Sequence, residues 1–171
     1  MMISDSYAWD MLTPGNKLRI ARFQSKIPVD LVGLANDLGL KVKAATLEPG
    51  KSGEIRPDGA GSFIIKVNRH DSHGRQRFTV AHEIAHFLLH NHLIGTGISD
   101  DALYRSNQND QVEREANRLA ADIVMPTKAV SNAIATANAL GISDYESALA
   151  DQFQVSRSAM AIKLGRTSTW R

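Results

Sequence analysis

The chain has 171 residues, 43% of them hydrophobic, and a formal net charge of +2 at neutral pH. This size and apolar content predict one domain with a true core, and so mild a charge does not by itself indicate nucleic-acid binding. Cysteine is absent, which excludes disulfides and leaves histidine and carboxylates as the metal ligands available. Since no apolar run approaches the roughly 18 residues of a membrane span and the acidic N-terminus does not resemble a signal peptide, we expect a cytoplasmic protein.

The first part of the chain predicts two short helices followed by a small sheet. Helices are expected over residues 16–25 and 28–38, the second with proline at its start and Gly39 just after its end. Alternating apolar residues between turn signals predict strands over residues 40–47, 53–56 and 62–67. We interpret these three strands as a small antiparallel sheet.

The remainder is predicted to be almost entirely helical. Apolar periodicity predicts one helix over residues 75–91 and another over 111–125, separated by a polar loop over 95–109. Residues 127–164 are rich in alanine and predict further helices, with a break near 141–143. The fold class expected from this pattern is α+β and mainly helical.

Residues 82–86 read His-Glu-Ile-Ala-His inside the helix predicted over 75–91. Histidines four residues apart lie on the same helix face one turn apart, so the rings of His82 and His86 can bind one Zn²⁺. Glu83 can take a proton from a water held by that metal. The motif therefore predicts a metal site with His82 and His86 as ligands and Glu83 as catalytic base.

A zinc site of this kind needs a third protein ligand. His90 lies on the same helix face as His82, but a straight helix separates them by about 12 Å, which is too far for one zinc ion. The helix predicted over 111–125 offers Glu113 and Glu115, which point about 160° apart, so we expect only one of them to face the metal. Periodicity alone does not choose between these two glutamates.

Two segments resemble a known family. Residues 75–86, Arg-Gln-Arg-Phe-Thr-Val-Ala-His-Glu-Ile-Ala-His, are similar to the metal-binding helix of the ImmA/IrrE metallopeptidases. Residues 115–126 begin with Glu-Ala-Asn and end with Met-Pro, and they resemble the second signature of that family. The resemblance covers residues 28–126 well and the C-terminal third more loosely. It implies a zincin-like, gluzincin-type site in which His82, His86 and Glu115 bind Zn²⁺.

The resemblance also implies an activity and a class of substrate. The chain would be a zinc-dependent endopeptidase, with Glu83 accepting the proton of water and passing it to the leaving amine. The expected substrate is a specific cytoplasmic protein, typically a DNA-binding repressor of the Xre type or an antitoxin. Its cleavage would regulate transcription, a stress response, a mobile element or a toxin–antitoxin system. The strand over 62–67 is expected to pair with the extended substrate.

The alternative is a non-proteolytic regulator, or a toxin, that uses the zincin scaffold to bind DNA or a partner protein. Residues 149–164 resemble a helix-turn-helix, with Ser156 as the N-cap of the second helix. The segment 155–171 has four basic residues and no acidic one, which would suit contact with DNA. We favour a helical pair that packs on the peptidase core. The expected organisation is a zincin-like domain over 1–126 and a C-terminal helical segment over 127–171.

Overall fold

The computed structural model describes residues 3–94 and 107–166 of the chain. Three short helices and three strands come first: α1 (Tyr7–Asp10), α2 (Pro14–Phe23), α3 (Leu31–Asp37), β1 (Leu40–Ala45), β2 (Gly53–Pro57) and β3 (Phe63–Asn68). Five helices follow: α4 (His73–Ile94), α5 (Asn107–Val124), α6 (Thr127–Ala139), α7 (Tyr145–Phe153) and α8 (Arg157–Lys163). The predicted α+β, mainly helical class is confirmed. Residues 95–106 of the loop predicted over 95–109 lie outside the described residues. Its last three residues, 107–109, belong to α5 instead.

The starts of α2 and α3 are set by capping side chains. Thr13 Oγ1 accepts a hydrogen bond from the backbone N–H of Asn16 at 3.2 Å, so α2 begins two residues before the predicted helix. Asp30 Oδ1 accepts from the N–H of Gly33 at 2.9 Å, and α3 therefore begins at Leu31 rather than at residue 28. In both cases the side-chain cap, and not the apolar pattern, defines the first turn.

The sheet has the strand order β1-β3-β2 and is mixed rather than antiparallel. β2 and β3 form an antiparallel hairpin, closed by a turn in which the Asp58 carboxylate accepts from the N–H groups of Ala60 and Ser62. β1 pairs with β3 in parallel, from Leu40 opposite Phe63 onward. The prediction of a wholly antiparallel sheet was wrong, because the hairpin occupies one edge of β3 and the chain crosses over between β1 and β2.

Helix α4 contacts both the sheet and α5 and is central to the fold. Its buried apolar side chains, such as Ile84, belong to one core cluster that also includes residues of β3, α5, α7 and α8. The largest fully buried members include Ile65, Leu119, Phe153 and Met160. Each such side chain contributes about 1.5–3 kcal/mol by leaving water, so the core holds α4 firmly against its neighbours.

The C-terminal helices contribute to this same cluster through residues of α7 and α8. The expected division into a zincin-like domain over 1–126 and a C-terminal helical segment over 127–171 stays a prediction. Among the helices of the described ranges, none is both long enough and apolar enough to cross a bilayer.

Candidate metal centre

Three side chains from two helices converge beside α4. The Nε2 atoms of His82 and His86 lie 3.0 Å apart. Each approaches an oxygen of the Glu113 carboxylate at 3.1 Å. Ligands of one tetrahedral zinc are roughly 3.3 Å apart when each bond is about 2.0 Å, so these donor atoms already have nearly the spacing that one metal requires. Among the described residues, His82, His86 and Glu113 form the group that could hold a metal ion.

The two glutamates of α5 have different surroundings. Glu113, 30% exposed, faces the two histidines of the motif, and each of its carboxylate oxygens contacts one of them. Glu115, which the family resemblance implied as the third ligand, is only 9% exposed and has its Oε2 2.8 Å from His90 Nε2. The structure thus does not bring Glu115 together with His82 and His86, because its carboxylate lies against His90, one turn farther along α4. The geometry favours Glu113.

The second ring nitrogen of each histidine in the motif also has a partner. His82 Nδ1 lies 2.8 Å from Asn117 Oδ1. His86 Nδ1 lies 3.0 Å from Nδ1 of His90, where the backbone of α4 leaves helical geometry with φ −127° and ψ 25°. The sequence excluded His90 as a metal ligand, and the structure places it behind His86 instead.

The protonation states of His86 and Glu113 suit metal binding, whereas His82 holds its proton more tightly than an ordinary histidine, so a metal must compete with that proton. Burial and the neighbouring His82 and His90 lower the pKa of His86 to about 4, against an opposing effect of Glu113. Burial acts to lower the pKa of His82 as well, but the hydrogen bond to Glu113 and the negative charges of Glu83 and Glu113 outweigh it, and the pKa is raised. Burial would raise the pKa of Glu113, but its hydrogen bonds with the two histidines lower it instead. At neutral pH, His86 therefore offers a lone pair and Glu113 a negative charge.

Glu83 lies on the sheet side of α4, where the chain comes close to β2. The side chain is buried, with the residue 7% exposed. A Cβ built on Gly53 would lie 3.5 Å from Glu83 Oε1 and only 2.3 Å from Thr79 Cγ2. The absence of a side chain at position 53 is therefore what allows β2 to approach the helix that carries Glu83.

The strand beside this site is not the one that the sequence suggested. β3, which includes most of residues 62–67, is central and has neighbours on both edges. The prediction that it pairs with a substrate was wrong for that reason. Within the described sheet, β2 has only β3 as a neighbour, so its other edge is unpaired there, and Gly53 of the same strand lies close to Glu83.

Of the four basic residues in the segment 155–171, the three that the structure describes contact acidic groups. Arg157 and Arg166 contact the carboxylate of Glu146 at 2.9 and 3.1 Å. Lys163 is 5% exposed and contacts Asp122 at 3.0 Å. DNA binding by this segment stays the less favoured alternative. The ion pairs leave α8 with little unpaired positive charge to offer a phosphate backbone.

Comparison with known proteins adds a family and a fold. The sequence matches the family model of the IrrE N-terminal-like domain, peptidase M78, over residues 35–165. Among solved structures, a Mycobacterium tuberculosis transcriptional regulator has a similar fold, with a TM-score of 0.62 and 15% sequence identity over 98% of this chain. The match covers 49% of that protein, so this chain spans about half its length. No curated protein matches the sequence. Since the family match covers most of the chain and includes both helices of the candidate metal centre, the chain belongs to the IrrE N-terminal-like, peptidase M78 family.

Proposed function

We propose that this protein is a zinc-dependent endopeptidase in which His82, His86 and Glu113 hold the metal and Glu83 is the catalytic base. The observation that carries the proposal is the convergence of two ring nitrogens and one carboxylate within 4.8 Å of one another. Two imidazoles and a carboxylate are a donor set that suits a catalytic zinc, and three protein ligands leave a fourth position open. When bound, Zn²⁺ would supply a Lewis acid for a peptide carbonyl and lower the pKa of water.

Two observations support Glu83 as the general base. It directly follows His82 in the chain, and its carboxylate raises the pKa of that histidine, so the two groups interact electrostatically. Its carboxylate lies close to Gly53 of β2, the strand at the edge of the described sheet. There Glu83 would accept a proton from water and deliver it to the leaving amine of the cleaved peptide.

The strand edge of β2 supports a polypeptide as the substrate. An extended peptide can add to such an edge through main-chain hydrogen bonds, which hold the scissile bond without dependence on its side chains. Side-chain specificity would then come from the surface next to the edge. The proposal is therefore an endopeptidase that acts on a segment able to become extended.

For the identity of the substrate we propose a cytoplasmic DNA-binding repressor of the Xre type or an antitoxin, whose loss would change transcription. The resemblance to ImmA/IrrE metallopeptidases supports this choice. The similar Mycobacterium tuberculosis protein is described as a transcriptional regulator, which is consistent with a regulatory role. That similarity also gives the rival candidate, a regulator that keeps the fold and acts by binding rather than by cleavage.

The test compares wild type with Glu83→Gln, incubated with Zn²⁺ and an Xre-type repressor encoded beside the gene. Gln keeps the shape of the side chain but cannot accept the proton, so cleavage should fall at least about 100-fold while zinc content stays the same. Cleavage products are identified by mass spectrometry. A Glu83→Gln protein that retains zinc and retains the full cellular effect would refute the endopeptidase and favour the regulator.

The ligand assignment has its own test in metal analysis of the purified protein. Glu113→Ala should lose bound zinc, because it removes the carboxylate that faces both histidines. Loss of zinc from Glu115→Ala with retention by Glu113→Ala would reverse the assignment.

A further inference from the structure

Behind His86 lies a chain of polar contacts that does not reach the metal position itself. His86 Nδ1 is 3.0 Å from His90 Nδ1, and His90 Nε2 is 2.8 Å from Glu115 Oε2. Gln111 Nε2 donates to the other oxygen of Glu115 at 3.0 Å. The side chains of His90 and Glu115 are 6% and 9% exposed, so water does not compete strongly for these contacts. The chain thus runs from α4 to α5 and ends on a buried carboxylate.

We propose that His90 and Glu115 are positioning residues that fix the ring of His86 for the metal, an inference that rests on the proposed function. If Nε2 of His86 binds a metal, its proton must be on Nδ1. The Nδ1–H group then donates to Nδ1 of His90, which must be unprotonated to accept. The proton of His90 is therefore on Nε2, from which it donates to the Glu115 carboxylate. Every contact in the chain is satisfied by this single arrangement of protons.

His82, the other proposed histidine ligand, has a single direct partner for its Nδ1 proton. Asn117 Oδ1 lies 2.8 Å from His82 Nδ1 and can accept its proton directly. Residues 113, 115 and 117 of α5 then have three roles at one site: Glu113 faces the metal, Glu115 acts through His90 on His86, and Asn117 acts on His82. Partners of this kind fix the tautomer and orientation of a ligand and increase its basicity.

If the contact between His90 and Glu115 were merely structural, its loss would leave metal binding unchanged. A buried His–Glu contact could simply join α4 to α5, and its loss would then lower only the stability of the protein. A positioning role predicts a different result. Loss of the His90–Glu115 contact must then lower Zn²⁺ affinity and change the geometry of the metal site even where the variant stays folded. Loss of a hydrogen-bond partner behind a metal-binding histidine reduces metal affinity about 10- to 100-fold.

The experiment measures Zn²⁺ affinity by competition with a chromophoric chelator and the visible absorption spectrum of the Co²⁺-substituted protein. His90→Phe keeps a ring but removes both nitrogens, and should weaken Zn²⁺ binding about 10- to 100-fold and alter the Co²⁺ spectrum. His90→Gln offers one acceptor for His86 and one donor for Glu115, and should restore most of the affinity. Glu115→Ala should weaken binding to a similar extent as His90→Phe.

Glu146→Ala is the matched control, since Glu146 is also a buried, paired glutamate but lies on α7 among the contacts of Arg157 and Arg166. It should leave Zn²⁺ affinity unchanged. Circular dichroism and thermal melting of each apo-protein identify variants that do not fold. If Glu115→Ala fails to fold, the comparison of His90→Phe with His90→Gln still decides the question.

The outcomes separate this inference from the proposed function. A wild-type protein that binds no Zn²⁺ would overturn the proposed function. Wild-type protein that binds Zn²⁺, with folded His90→Phe binding it equally well and giving the same Co²⁺ spectrum, would overturn the positioning role alone. A folded His90→Gln protein that is as weak as His90→Phe would also overturn it, because the loss would then reflect packing rather than hydrogen bonding.

Discussion

Lys163 Nζ lies 3.0 Å from Asp122 Oδ1, and the two side chains are only 5% and 4% exposed. The other carboxylate oxygen of Asp122 accepts from the backbone N–H and the hydroxyl of Ser6, at 3.0 and 2.6 Å. Lys163 also donates to Thr127 Oγ1 at 3.1 Å. One buried ion pair therefore joins α8 to α5, the helix that carries Glu113, and to the N-terminal segment.

Lys163→Met should destabilise the protein by about 3–5 kcal/mol, because it leaves the charge of Asp122 buried without its cation. Adding Asp122→Asn to that variant removes the unpaired charge and should recover much of the loss. Urea denaturation gives the free energies of unfolding. Lys43→Met is the control, since Lys43 is exposed on β1 and should change stability by no more than about 0.5 kcal/mol. A Lys163→Met protein as stable as that control would contradict the role assigned to the pair.

The Glu146 cluster predicts a pH-dependent contribution to stability. The hydrogen bonds from Arg157 and Arg166 lower the pKa of Glu146 below its ordinary value near 4.5. A group whose pKa is lowered on folding stabilises the protein above its unfolded pKa, and that contribution is lost as the pH falls through the folded pKa. Glu146→Gln should therefore melt below wild type at pH 7, and the gap should close as the pH falls below the ordinary pKa near 4.5. A gap that stays constant as the pH is lowered would show that charge is not the cause.

Metal addition and removal should change thermal stability through the candidate site. A ligand that binds only the folded state at 100 times its dissociation constant adds about 2.7 kcal/mol to the free energy of unfolding. Zn²⁺ should therefore raise the melting temperature of the apo-protein, and a chelator should reverse the change. Glu113→Ala should show no such rise, because it lacks the carboxylate between the two histidines. An equal rise in that variant would locate the bound zinc elsewhere.

Local patterns were enough to predict most elements of the fold. Apolar periodicity and turn residues gave the helices and strands to within a few residues, since both signals act over neighbouring positions. The direction of β1 could not be predicted in this way. Whether a strand joins a hairpin in parallel or antiparallel depends on how the connection crosses the sheet, and the alternation within Leu40–Ala45 is the same in both cases.

The site was predictable where it lies on one helix and less so where a second helix contributes. The spacing of His82 and His86 fixed their common face, and the structure brings their Nε2 atoms together. The choice between Glu113 and Glu115 depended on the rotation of α5, which the sequence left open. Asn117 was a usable signal for choosing Glu113. It lies one turn after Glu113 on the same face of α5, so that face carries both a candidate ligand and a partner for His82.

Gly53→Ala should test the close approach of β2 to α4. The added Cβ would lie 2.3 Å from Thr79 Cγ2 and 3.0 Å from the carbonyl oxygen of Lys66, so the strand or the helix must move. We expect a loss of about 1–3 kcal/mol in the free energy of unfolding and, because Glu83 lies beside the same contact, a fall in the proposed peptidase activity.

The companion variant Gly53→Ala/Thr79→Ser removes the methyl group that the new Cβ meets, and should recover part of both losses. Gly15→Ala serves as the control, because a Cβ there has no heavy atom within 4 Å and position 15 lies in the first turn of α2. It should leave activity unchanged and alter stability by less than about 1 kcal/mol. If Gly53→Ala has full activity while Thr79 is intact, the spacing between β2 and α4 does not control the position of Glu83. Recovery in the variant with Thr79→Ser would instead attribute the defect to that one methyl contact, and so to the distance between β2 and Glu83, the proposed base.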